Sequence, residues 1–100
     1  MIKVIVKKDN YINKVVIEGH AAYADFGKDI VCAATSSIII TTINAILSID
    51  DKAIKYQLDK KFIIEILYDN EIISKLMDNM LNMLQELSDN YPKNINIKEE

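Results

Sequence analysis

The sequence predicts an α+β layered domain of order β-β-α-β-β-α-β, with two helices packed on a mostly antiparallel or mixed sheet. Three observations carry that prediction. Apolar residues alternate with lysines at the N-terminus, the period of a half-buried strand. They alternate again on both sides of the polar break Asp59-Lys60-Lys61, which marks a hairpin. Two further segments carry helical patterning, one apolar almost all round and one with a single apolar stripe.

In chain order, Ile2, Val4 and Val6 alternate with Lys3 and Lys7 as a first strand, and Asp9-Asn10 begins a turn. Val15, Val16 and Ile17 form a second strand that ends at Glu18-Gly19. His20 to Lys28 has small residues, Gly27 and no clear period, so it reads as a surface loop of nine residues. A loop of that length is longer than most connections and is a place to look for function. Asp29 suits the N-cap of a helix running to about Ile49, because its carboxylate can accept the free amide hydrogens of the first turn. That helix is interrupted by one polar stripe, Ser37, Thr41, Asn44 and Ser48, so it must be covered on more than one side. Asp50-Asp51 breaks it. Ile54 to Leu58 and Phe62 to Tyr68 are the hairpin strands. From Glu71 to about Asp89, Ile73, Met77, Met80, Leu84 and Leu87 recur at four, three, four and three, giving one apolar helix face. Pro92 stops it, and Ile95 and Ile97 begin a last strand.

One hundred residues make one domain, residues 1–100, large enough to bury roughly 65% of its unfolded surface. The net charge is −3, and all 12 basic residues are lysine. An acidic chain without arginine lacks the usual footprint of a nucleic-acid binder and would suit a basic peptide or protein, so no direct nucleic-acid contact is expected. A single cysteine excludes an intrachain disulfide framework. The N-terminal segment has no continuous apolar core of a signal peptide, and no uninterrupted apolar run approaches the ~18 residues of a membrane span. The expectation is a cytoplasmic protein without a membrane partner.

Cys32 and His20 are the one cysteine and the one histidine. A lone helical cysteine is usually a small buried hydrophobe, and a lone histidine at a strand end is usually structural. Position shifts that balance. With Asp29 as N-cap, Cys32 falls in the first helical turn, where unpaired amides and the helix dipole favour thiolate, the nucleophilic form. A strand leading through a loop into a helix doubles back, which can bring His20 near the helix start to serve as its base. Tyr23 and Phe26 either contact a substrate from the loop or anchor it, and Gly27 is a candidate hinge.

The stretch Gly19-His20-Ala21-Ala22-Tyr23-Ala24-Asp25-Phe26-Gly27-Lys28-Asp29-Ile30-Val31-Cys32-Ala33-Ala34-Thr35-Ser36 resembles the signature of the ribosomal-processing cysteine protease Prp family, G-H-A-x-Y-A-x-x-G-x-D-I-V-C-A-A-x-S. Every specified position matches, including the eleven residues between His20 and Cys32. The resemblance implies a peptidase that removes a short N-terminal extension from large-subunit ribosomal protein 27, with Cys32 as nucleophile and His20 as general base and acid. It implies a homodimer and no cofactor or metal. Gly19, Asp29 and Ser36 match the other site positions. Asp29 either orients His20 or caps the helix, and Ser36 lies one turn beyond Cys32, supporting the site or bonding back to a helix carbonyl. A metal site would have to recruit Asp25 and Asp29 to complete a ligand set. The alternative from a different class is a non-catalytic, ribosome-associated assembly or binding module. Thiol alkylation separates these readings, because an activated cysteine reacts quickly and a packed one hardly at all.

Overall fold

Among the described residues, five strands and two helices follow in the order β-β-α-β-β-α-β, as the patterning requires. The computed structural model describes residues 1–19 and 30–100 in full and the backbone of residues 26–29. The strands are β1 (Ile2–Lys8), β2 (Ile12–Glu18), β3 (Ile54–Leu58), β4 (Phe62–Ile66) and β5 (Ile95–Glu99); the helices are α1 (Phe26–Ile49) and α2 (Glu71–Asn90). They form one mixed sheet of order β3-β4-β2-β1-β5, antiparallel throughout except where β1 pairs with β5.

The register explains why both helices occupy one face. β2 and β3 are both antiparallel to the intervening β4, so they run parallel and α1 is a crossover between them. By the same reasoning β4 and β5 run parallel, with α2 as their crossover. The two crossovers leave from oppositely directed strands and step in opposite directions along the sheet. Crossovers of one hand, right by rule, then lie on the same face. Burial agrees. Ile2, Val4, Val6, Val15, Ile17, Ile64 and Ile95 are buried from the sheet, against Val31, Ile39, Ile43 and Ile46 of α1 and Ile73, Met77, Met80 and Leu84 of α2. Each such aliphatic side chain taken from water contributes ~1.5–3 kcal/mol.

α1 is long and apolar enough to cross a membrane by length and composition, but here it is a layer of the core. Ser37, Thr41, Asn44 and Ser48 face solvent, as their spacing predicts. The inward threonines satisfy themselves: Thr35 Oγ1 donates to the Val31 carbonyl and Thr42 Oγ1 to that of Ile38, both at 2.8 Å. α2 starts where Asn70 Oδ1 accepts from the Ile72 and Ile73 amides at 2.9 and 3.2 Å, and Ser88 Oγ ties its last turn to the Ile95 carbonyl at 3.1 Å.

Three boundaries differ from the sequence reading. β2 begins at Ile12 rather than Val15, because one step on β1 (Lys7 to Lys8) spans two on β2 (Lys14 to Ile12). Asn13 is the extra residue of a bulge, which turns Ile12 into the core and breaks the period of two. β4 ends at Ile66, and Tyr68 leaves the ladder to donate from its hydroxyl to the Asp50 carboxylate. The third change matters most for chemistry: α1 begins at Phe26, three residues before Asp29. Asp29 is therefore inside the helix and not its N-cap.

Candidate active site

The strand end and helix that bracket the signature are positioned by identifiable contacts. β2 closes against β1 with Lys3 opposite Glu18 and against β4 with Ile17 opposite Phe62. Lys61 Nζ reaches Glu18 Oε2 at 3.3 Å, pinning the hairpin turn to the last residue of β2. Sequence reasoning missed this pair, since it depends on a β2–β4 pairing that no local pattern reveals. Gly19 follows with φ +76°. A Cβ at this position would overlap the Met1 carbonyl oxygen and stand 3.3 Å from the Met1 carbonyl carbon and 3.6 Å from Ile2 Cα. Two independent constraints, dihedral and space, thus select glycine immediately before His20.

Gly19→Ala is accordingly expected to destabilise the protein by ~1–3 kcal/mol, the cost of a strained non-glycine conformation, and to lower activity by moving the strand end. Urea unfolding with a parallel activity assay measures both. An alanine variant with unchanged midpoint and rate would show that the close approach carries no cost.

Cys32 is half-buried and packs at the margin of the core, one residue beyond the buried Val31. Ser36, four residues on, is half-buried on the same side of α1, as the helical spacing predicts. Because α1 starts at Phe26, Cys32 is its seventh residue. Cys32 therefore lies beyond the first turn and its unpaired amides, not within it. In a continuous helix the Cys32 N–H is directed to the carbonyl of Lys28, so it is not free to donate to an oxyanion. Phe26 and Gly27, read as loop residues, are the first two residues of α1, so a hinge at Gly27 would lie in the helix and not the loop.

His20 and Tyr23 lie outside the described residues, as do the side chains of Phe26 and Asp29. What the fold supplies is the frame: β2 delivers the chain to Gly19 beside Met1, and α1 carries Cys32 and Ser36 on one side near its start.

Comparison with known proteins defines the class. A family model described as cysteine protease Prp matches residues 1–96, so the molecule is a cysteine protease. The chain belongs to the Prp family of ribosomal processing proteases. The ribosomal processing cysteine protease Prp of Staphylococcus aureus is 25% identical over 100 residues, covering 96% of this chain and 94% of that protein. The crystal structure of the essential S. aureus ribosomal processing protease Prp with a substrate peptide superposes with a TM-score of 0.92 at 25% identity, covering all of both chains. The same S. aureus protease with a covalently linked product peptide gives 0.89 at 26% identity, again over all of both chains.

Proposed function

We propose that this protein removes a short N-terminal extension from large-subunit ribosomal protein 27 in the cytoplasm, with Cys32 as nucleophile and His20 as general base and acid. The observation that carries this reading joins family to composition. The chain belongs to a cysteine protease family and holds one cysteine, inside a signature that also contains its one histidine. The covalently linked product peptide of the S. aureus relative fits a mechanism through an acyl-enzyme.

In that mechanism His20 takes the Cys32 thiol proton as Sγ attacks the scissile carbonyl carbon, and then gives a proton to the leaving amine as the C–N bond breaks. Water, deprotonated by His20, hydrolyses the thioester, releasing the carboxylate and restoring the thiol. The oxyanion needs donors other than the Cys32 amide, given where α1 begins. Asp29 and Ser36 support the two reacting residues. The test is incubation with the extended ribosomal protein followed by intact mass. Loss of one N-terminal peptide at a single bond is expected, and an unchanged mass would reject the substrate.

The protein is further proposed to work as a homodimer. Ile30, Ile40 and Ile49 of α1 and Met83 of α2 are exposed apolar side chains that a second copy could cover, whereas Met77 and Met80 are buried within the subunit. Sedimentation equilibrium at micromolar concentration should give about twice the 11.4 kDa of one chain. A mass near 11.4 kDa would mean that the two helices cover each other and need no partner.

A further inference from the structure

The face of the sheet away from the helices has a composition unlike the rest of the molecule. Its strand residues are Lys3, Ile5 and Lys7 of β1, Lys14, Val16 and Glu18 of β2, Ile63 and Glu65 of β4, Lys55 and Gln57 of β3, and Asn96 and Lys98 of β5. That is five lysines against two glutamates in a chain whose net charge is −3. Glu18 is already paired with Lys61. None of the five ammonium groups has an ion-pair partner among the described residues. Lys7 and Lys14 stand directly opposite each other, a like-charge cross-strand pair that costs stability. Glu18 stands opposite Lys3 and Glu65 opposite Lys14 and Lys55, while Asp78, Glu86 and Asp89 lie on α2.

The arrangement is regular. Lys98 is in register with Ile5, midway between Lys3 and Lys7, so the three charges recur every ~7 Å along the strand direction. Beside them a depression of about 350 Å³ is lined by Lys3, Val4, Ile5, Glu18, Asn96 and Lys98. Between the lysines, Ile5, Val16 and Ile63 form a half-buried aliphatic row across three strands. The face carries no aromatic strand residue on which a base could stack. Evenly spaced cations with no ion-pair partner among the described residues, on strands without an aromatic group on that face, suit a repeating anion met along its backbone.

We propose that this open face binds the phosphate backbone of RNA, without base specificity, through Lys3, Lys7, Lys14 and Lys98. The choice of RNA among polyanions rests on membership of a family of ribosomal processing proteases. The net charge of the chain pointed away from nucleic acid, but a total says nothing of how charge is distributed.

Fluorescence anisotropy of a labelled mixed-sequence RNA of ~20 nucleotides, titrated with the full chain, tests this. Neutralising about four phosphates gives a log–log salt slope near −3, so affinity should fall roughly 50-fold between 50 and 200 mM salt. Combining Lys3→Gln, Lys7→Gln and Lys98→Gln should weaken binding at least tenfold and flatten the slope, and Lys98→Glu alone should act in the same direction. The control pair Lys75→Gln and Lys93→Gln should change little. Cleavage of a short peptide by a variant combining Lys7→Gln and Lys98→Gln should stay at the wild-type rate, which separates this proposal from the protease reading. No salt-dependent binding, equal effects in the control, or lysine-dependent binding to phosphatidylserine vesicles in place of RNA would each overturn it.

Discussion

Cys32→Ala is expected to abolish peptide cleavage while leaving the fold in place. The side chain is half-buried, so losing one sulfur at the edge of the core removes little packing, ~1 kcal/mol or less by the scale of small truncations. The chemical loss is far larger, because no other thiol exists in the chain and removing a nucleophile costs on the order of 10⁴-fold or more. Cys32→Ser should behave alike, since a hydroxyl beside a base tuned to a thiol is a poor substitute. Circular dichroism and melting temperature report the fold, and a product-mass assay reports cleavage. A variant that cleaves at the wild-type rate would sink the assignment.

The second large effect belongs to His20. Its replacement by alanine should slow cleavage by about 10²- to 10⁴-fold, the range for losing a general base. It should also slow alkylation of Cys32 by iodoacetamide near pH 7. α1 begins at Phe26, so Cys32 sits past the first turn and its unpaired amides. In the proposed mechanism the imidazole is the activating group. An unassisted thiol is only a few per cent ionised at pH 7, so a drop of tenfold or more in alkylation rate is expected. If alkylation and cleavage both continue unchanged, His20 is structural.

Much of the fold was legible because local patterns coincide with burial. Ile2, Val4 and Val6 alternate and point inward; Ile73, Met77, Met80 and Leu84 lie on one helix face and are buried. Ile12 was not legible, since the Asn13 bulge shifts its register and a strict period of two cannot accommodate it. The start of α1 was misplaced for a different reason. Asp29 has a residue type that favours helix starts, but that preference alone does not fix where the helix begins. In the site, spacing and residue type singled out Cys32 and His20, whereas the need for glycine at Gly19 depends on Met1, a neighbour only after β1 and β2 pair. The charge of the open face was hidden in a net value to which the acidic loops and α2 contribute.

The parallel pairing of β1 with β5 also governs when the protein can become itself. Ile2 meets Ile95, so this ladder closes only after β2, β3, β4 and both helices have been synthesised. Such a distant contact raises contact order and slows folding compared with a helical bundle of equal size. Until β5 arrives, one side of β1 has no partner for its amides and carbonyls, and an unprotected edge is a template for another chain. A nascent or prematurely terminated copy that lacks β5 would therefore be prone to associate through β1, and the arrival of β5 is what retires that hazard.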